Sequence, residues 1–128
     1  MSKKVLIIDD EDDVKEIAQM GLEMAADWNV ITANSGKAGL ELAASSQPEV
    51  ILLDLMMPDW DGQETLKHLK ANQSTVKIPV ILMTAKTKSA IASELTGLDI
   101  VGIITKPFRP LQLPEQIAEI LNQFEVNK

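Results

Sequence analysis

Five short apolar runs recur along the chain, and segments with apolar residues at helical spacing lie between them. The runs are four or five residues long and rich in Val, Ile and Leu, which is typical of strands buried on both faces of a parallel sheet. Because strands and helices alternate throughout, the pattern predicts an α/β fold with a parallel sheet between layers of helices. The runs cover residues 5–8, 30–33, 50–53, 80–83 and 100–104.

The segments between and after these runs predict about five helices, each with one apolar face. The sequence shows no internal repeat, low-complexity tract or linker, so we expect one domain over residues 1–128 and no output domain. The predicted helices begin at Asp12 or Asp13, at Ser35-Gly36 and after a loop with Pro58 and Gly62, and two more cover about residues 88–96 and 111–124.

Charge and composition exclude several classes of function. The 19 acidic and 12 basic residues give a net charge of −7, which disfavours binding to nucleic acid or to an anionic membrane. The chain has no cysteine, so disulfide frameworks and thiol-based zinc or redox sites are excluded. No stretch approaches the roughly 20 apolar residues of a membrane helix. We therefore expect a soluble, cytoplasmic protein.

Residues that can carry chemistry directly follow the predicted strands. Asp9 and Asp10 come after the first run, Asp54 after the third, Thr84 after the fourth and Lys106 after the fifth. Ligands of an open parallel sheet bind beyond the carboxyl ends of its strands, so these side chains are expected to converge. Three neighbouring carboxylates need shifted pKa values or a bound cation, and all-oxygen ligands favour Mg²⁺. Such a site could hold a phosphoryl group on the cation, the ammonium and the hydroxyl.

Four segments together resemble the motifs of response regulator receiver domains, the CheY-like superfamily. They lie in the family's order and span nearly the whole chain, and the segment that begins at Leu52 is the most specific of them. The resemblance implies a doubly wound, flavodoxin-like (β/α)5 fold with strand order 2-1-3-4-5. The segments are Ile7-Ile8-Asp9-Asp10-Glu11, Leu52-Leu53-Asp54-Leu55-Met56-Met57-Pro58-Asp59-Trp60-Asp61-Gly62, Leu82-Met83-Thr84-Ala85 and Thr105-Lys106-Pro107-Phe108.

The resemblance also implies a metal site around a phosphorylated aspartate. Asp54 would accept the phosphoryl group and bind the ion. Asp10 would be a direct ligand of Mg²⁺, and Asp9 would act mainly through a metal-bound water. The backbone carbonyl of Met56 would complete the protein ligands, and Mn²⁺ could substitute for Mg²⁺.

The remaining family residues would respond to the phosphoryl group. The Thr84 hydroxyl would move toward it, and Lys106 would pair with it and precede a cis bond to Pro107. The donor would be a histidine kinase or a histidine phosphotransfer protein. An unknown protein target would bind through the face of the fourth helix, fifth strand and fifth helix. The chain would be a monomer or a phosphorylation-dependent dimer. Apart from its own phosphorylation and dephosphorylation, no enzymatic activity is expected.

Three positions depart from common family patterns. Ile103 stands where the family often has an aromatic residue that swings inward on activation, so an aromatic rotamer cannot report phosphorylation here. Met56 and Lys86 lie two residues after Asp54 and Thr84, at positions that influence how water reaches the acyl phosphate. These residues predict an atypical lifetime of the phosphorylated state.

Three other functions compete with this interpretation. Asp10-Glu11-Asp12-Asp13-Val14 matches the nucleophile motif of Mg²⁺-dependent haloacid-dehalogenase-like phosphatases, in which Asp10 would be the nucleophile. That family needs a further acidic motif after the lysine and leaves Asp54 without a role. A flavodoxin-like cofactor site would place hydroxyls and amides, not carboxylates, after the first strand. A pseudo-receiver that only binds partners is the third alternative, and Ile103 is its best support.

Overall fold

The computed structural model describes residues 3–24, 28–85 and 97–126. All five strands are parallel and form one sheet in the order β2-β1-β3-β4-β5, which confirms the predicted fold class. The predicted helix over about residues 88–96 lies outside the described residues. The strands are β1 (Lys3–Ile8), β2 (Trp28–Ala33), β3 (Val50–Asp54), β4 (Val80–Thr84) and β5 (Gly102–Thr105). The described α-helices are α1 (Asp12–Met24), α2 (Gly36–Ser46), α3 (Gly62–Ala71) and α4 (Leu113–Val126), and a 3₁₀ turn (Pro110–Gln112) precedes α4.

Two apolar layers, one on each face of the sheet, account for the apolar runs. Leu6 and Ile8 of β1 pack in the layer that includes α2 and α3, whereas Val5 and Ile7 pack in the layer that includes α1 and α4. Every residue of β3 and β4 is buried. This is the expected result for central strands of a sheet with helices on both faces. Among the described residues, no helix combines the length and apolarity needed to cross a membrane.

The strand register aligns the carboxyl ends of the central strands. Ile8 of β1 pairs with Leu53 of β3, so Asp9 and Asp54, which follow them, lie side by side at this edge of the sheet. Asp54 is itself still paired, opposite Met83 of β4. The next pair along, Thr84 and Thr105, joins β4 to β5. The register of the sheet therefore determines where the predicted site residues lie relative to one another.

The loop between β3 and α3 is held close to the end of β3 by a glycine. The Gly62 N–H donates a hydrogen bond to the Leu55 carbonyl at 2.9 Å, and the Asp61 side chain caps α3. A Cβ at position 62 would lie 2.6 Å from the Cα of Leu55 and 2.7 Å from the Asp54 carbonyl oxygen. Both neighbours are backbone atoms of the strand that carries Asp54, so they cannot move aside without displacing the site.

Replacement of Gly62 with alanine is therefore expected to destabilise the protein, although alanine is the better helix former. We expect the free energy of unfolding to fall by about 1–3 kcal/mol because the added methyl group overpacks a rigid contact. Urea denaturation measures this change. Gln63→Ala, at the exposed neighbouring position of α3, is the control and should change stability by less than about 0.5 kcal/mol. Equal midpoints for Gly62→Ala and the native chain would contradict the prediction.

Candidate functional site

Two buried aspartates lie at the carboxyl ends of β1 and β3. Asp9 is fully buried, and its N–H donates to the Ala33 carbonyl at 3.0 Å. Asp54 is only 2% exposed and ends β3. A buried carboxylate is costly unless a cation or hydrogen-bond donors compensate it. The surroundings of these two acids must therefore supply positive charge or hydrogen-bond donors.

Lys106 supplies that charge from the loop after β5. Its Nζ lies 2.9 Å from Asp9 Oδ2, 3.1 Å from Asp54 Oδ1 and 3.7 Å from Glu11 Oε1. Its side chain is only 13% exposed. The Lys106 N–H donates to the Thr84 carbonyl at 2.7 Å, and the peptide bond to Pro107 is cis, as the family resemblance implies. One ammonium is thus shared among three carboxylates.

Burial and the neighbouring charges together shift the pKa values of Asp54 and Lys106. Burial, followed by repulsion from Asp9, raises the pKa of Asp54 to about 6, although the charge and hydrogen bond of Lys106 and the Met56 amide oppose the rise. Burial would lower the pKa of Lys106, but its hydrogen bond to Asp9 and the charges of Asp54 and Asp9 outweigh burial and raise it. The raised pKa keeps Lys106 protonated, and the carboxylates of the site outnumber this single ammonium.

The carboxylates fit a divalent cation. Asp9, Glu11 and Asp54 each offer an oxygen atom, and these atoms lie within 4.8 Å of one another. Asp54 Oδ2 is buried and has no hydrogen-bond partner among the described residues. A hard cation with several oxygen ligands would satisfy this atom and balance the charge that Lys106 leaves uncompensated. The donor set is suitable for Mg²⁺, Mn²⁺ or Ca²⁺ and has no ligand that favours a softer metal.

The other predicted site residues differ in their burial and in their contacts with Asp54 and Lys106. Thr84 is buried at the end of β4, where its carbonyl holds the Lys106 backbone. Met56 has an exposed side chain, and its N–H donates to Asp54 Oδ1 at 3.3 Å. Asp10 is exposed and is not part of the carboxylate group that the described residues form. Its role as a direct ligand stays a prediction, and Lys86 lies outside the described residues.

Glu11 is the site residue that sequence reasoning did not single out. It belongs to the acidic run that follows β1. Its N–H donates to Asp9 Oδ1 at 2.9 Å, and its carboxylate points back toward Lys106. The only signal in the sequence was that a third acid follows Asp9 and Asp10 directly. Alternation along the chain cannot show which of these acids returns to the site.

The raised pKa predicts how the metal-free protein responds to pH. A pKa raised from 3.8 to about 6 means that the folded state binds a proton more tightly than the unfolded state does, so stability falls as pH rises from about 4 to about 6. Asp54→Asn removes this titration. With a chelator present, we expect the variant to gain up to about 3 kcal/mol over the native chain between pH 4 and pH 7. Urea denaturation at both pH values would show it, and a constant difference between the two proteins would refute it.

Comparison with known proteins agrees with the geometry. The family model of the response regulator receiver domain matches residues 5–118. Over 128 residues, the chain is 34% identical to the alkaline phosphatase synthesis transcriptional regulatory protein PhoP of Bacillus subtilis, with 98% of this chain and 51% of the relative covered. It is 33% identical over 125 residues to the phosphate regulon transcriptional regulatory protein PhoB of Pseudomonas aeruginosa, with 96% and 53% covered. The chain spans about half the length of these curated relatives.

Solved structures give the same result at the level of the fold. The chemotaxis protein CheY4 of Vibrio cholerae superimposes with a TM-score of 0.85 at 26% identity, over 94% of this chain and 99% of the other. The N-terminal domain of a response regulator receiver protein from Methanoculleus marisnigri is 36% identical, with a TM-score of 0.74 and 92% and 95% of the chains covered. Family model, relatives and structures agree, so the chain belongs to the response regulator receiver family of two-component signalling.

Proposed function

We propose that Asp54 accepts a phosphoryl group from a phosphohistidine of a histidine kinase or histidine phosphotransfer protein. The observation that carries the proposal is the state of the Asp54 carboxylate. Oδ1 accepts from Lys106 and from the Met56 N–H, whereas the buried Oδ2 has no partner among the described residues. The carboxylate is thus oriented by one oxygen and keeps lone pairs available for attack on phosphorus. A new O–P bond forms as the N–P bond breaks, and the imidazole leaves.

Lys106 and Thr84 stabilise the transferred group. The Lys106 ammonium already touches Asp54, so a phosphoryl group on Asp54 would come within its reach. A charge-assisted hydrogen bond to a phosphoryl oxygen then replaces part of the pairing with carboxylates. Thr84 ends the neighbouring strand and is expected to bring its hydroxyl to a second phosphoryl oxygen. Both residues act by orientation and electrostatics, as is usual for phosphoryl transfer.

The acidic residues would hold the divalent cation that the transfer needs. When bound, Mg²⁺ or Mn²⁺ supplies positive charge that offsets repulsion between the carboxylate and the phosphoryl oxygens. Asp54 and Asp9 line the site, and Asp10 and the Met56 carbonyl complete it if the family pattern applies. Asp9 already has partners on both oxygens, Glu11 N–H on Oδ1 and Lys106 on Oδ2. This arrangement favours contact through water over direct ligation.

The test uses the native chain and a small phosphodonor. Incubation with acetyl phosphate and Mg²⁺ should add the mass of one phosphoryl group, and EDTA should prevent the gain. Peptide mapping should then place the modification on the segment with Asp54. Modification at Asp10 would instead support the phosphatase alternative, which membership of the receiver family already disfavours. No gain in mass with Mg²⁺ would support the pseudo-receiver.

Phosphorylation would shift an equilibrium between two conformations and so control a protein partner. Ile103 is half-buried in β5 opposite Leu82. A small repacking of this aliphatic side chain would take the place of an aromatic swing. The expected partner surface combines β5 and α4 with the predicted helix over about residues 88–96. That helix lies outside the described residues. As a receiver unit over residues 1–128, the chain would act as a monomer or form a dimer when phosphorylated.

A further inference from the structure

Glu11 has a fixed backbone and an exposed, long side chain at the mouth of the acidic site. Its N–H donates to Asp9 Oδ1 at 2.9 Å, and its carbonyl accepts from the Lys15 N–H at 3.2 Å at the start of α1. Its side chain is 63% exposed, and Oε1 is 3.7 Å from Lys106 Nζ, too far for a hydrogen bond. The carboxylate is therefore near the site and only loosely engaged.

The carboxylate oxygen atoms of Asp9 and Asp54 differ in how many hydrogen-bond partners they have. Asp9 uses Oδ1 for the Glu11 N–H and Oδ2 for Lys106. Asp54 uses Oδ1 for Lys106 and the Met56 N–H, and only its buried Oδ2 lacks a partner among the described residues. A cation that binds Asp54 Oδ2 therefore finds in Glu11 a nearby carboxylate that can turn toward it without breaking a hydrogen bond.

We propose that Glu11 is an additional carboxylate ligand of this site and that it increases the affinity for Ca²⁺ more than the affinity for Mg²⁺. The inference rests on the metal site of the proposed function. Mg²⁺ requires a near-ideal octahedral shell, keeps several waters and usually takes one or two carboxylates. Ca²⁺ takes six to eight oxygen ligands at longer, more variable distances. A third carboxylate on a flexible side chain suits the larger ion.

A consequence for the switch is that Ca²⁺ competes with Mg²⁺ at the site. Glu11 has one methylene more than aspartate, and this extra reach lets a residue outside the buried pair approach the ion. If reach matters, shortening the side chain should have nearly the same effect as removing its charge. If only the overall negative charge matters, any exposed acid nearby should contribute equally to both ions.

The experiment measures the dissociation constants of Mg²⁺ and Ca²⁺ by isothermal titration calorimetry on the unphosphorylated full chain. Glu11→Gln removes the charge, Glu11→Asp keeps it but shortens the reach, and Asp13→Asn removes one exposed charge two residues along. We expect Glu11→Gln to weaken Ca²⁺ binding about tenfold and Mg²⁺ binding at most about threefold, with Glu11→Asp close to it for Ca²⁺. Asp13→Asn should weaken both ions by less than about twofold.

An unchanged ratio of the two dissociation constants in Glu11→Gln would overturn the proposal, as would undetectable Ca²⁺ binding by the native chain. Full retention of Ca²⁺ affinity in Glu11→Asp would show that charge and not reach is responsible, which also overturns it. The proposed function is judged separately, by the Mg²⁺-dependent mass gain of the native chain with acetyl phosphate. Circular dichroism of each variant shows that it is folded before titration.

Discussion

Asp54→Asn is expected to abolish phosphorylation of the chain by acetyl phosphate in the presence of Mg²⁺. The amide has nearly the shape of the carboxylate but is neutral, and its oxygen is a poor nucleophile. Removal of a nucleophile typically lowers a rate by a factor on the order of 10⁴ or more. The burial and packing of position 54 should persist, and the metal-free variant should be more stable than the native chain at neutral pH. Loss of the mass gain would thus reflect chemistry rather than unfolding.

The control for this variant is Asp59→Asn in the same loop. Asp59 is exposed and has a left-handed backbone with φ of 61°, a conformation that asparagine adopts readily. The substitution therefore removes one charge near Asp54 without strain. We expect a mass gain equal to that of the native chain. Equal gains in Asp54→Asn and Asp59→Asn would mean that another residue accepts the phosphoryl group.

Lys106→Met is expected to have two separate effects, one on phosphoryl transfer and one on stability. The variant keeps an apolar stem but leaves Asp9, Asp54 and Glu11 without the shared ammonium. Transfer from acetyl phosphate should slow by about 10²–10³, the usual cost of losing one donor to developing negative charge. At pH 7 without metal, the free energy of unfolding should fall by about 3–5 kcal/mol because buried carboxylates lose their partner.

Low pH and bound metal should each reduce the loss of stability in Lys106→Met, but neither should restore the rate of phosphoryl transfer. Below pH 5 the raised pKa of Asp54 keeps it largely protonated, so the loss of stability should shrink. Mg²⁺ at saturating concentration should restore stability at pH 7, since it replaces the missing positive charge. Urea denaturation at both pH values, with and without Mg²⁺, tests this, and Lys67→Met at an exposed position of α3 is the control. A loss of stability independent of pH and metal would contradict the electrostatic explanation.

Much of the fold could be predicted because the strands are unambiguous. The runs that became β3 and β4 are entirely apolar, and both strands are buried throughout. The end of the chain was harder, since the run at residues 100–104 became a strand over Gly102–Thr105. The Ile100 N–H bonds to the Leu98 carbonyl in a turn, and the paired register with β4 begins at Gly102, opposite Ile81. Likewise α4 starts at Leu113, because Pro110 begins a 3₁₀ turn first.

The positions of Asp54 and Lys106 in the candidate site could be predicted from the sequence, whereas those of Asp10 and Glu11 could not. Asp54 and Lys106 follow from their positions after strands, because the sheet determines where strand ends meet. Glu11 and Asp10 are adjacent in the sequence, and their different surroundings depend on how the chain turns between β1 and α1. That turn is set by the hydrogen bond from the Glu11 N–H to Asp9 Oδ1, a contact that no pattern of apolar residues encodes.

The position of β4 between two hydrogen-bonded neighbours limits how a signal can leave this edge of the sheet. The Met83 carbonyl accepts from the Leu55 N–H at 3.0 Å, and the Thr84 carbonyl accepts from the Lys106 N–H at 2.7 Å. The main chain here is clamped from both sides and has little room to slide. If Asp54 carries a phosphoryl group, as proposed, we expect side chains at these strand ends to rotate while β3, β4 and β5 stay in register. Phosphorylation would then change the shape of the surface at this edge, and the strands of the sheet would not slide past one another.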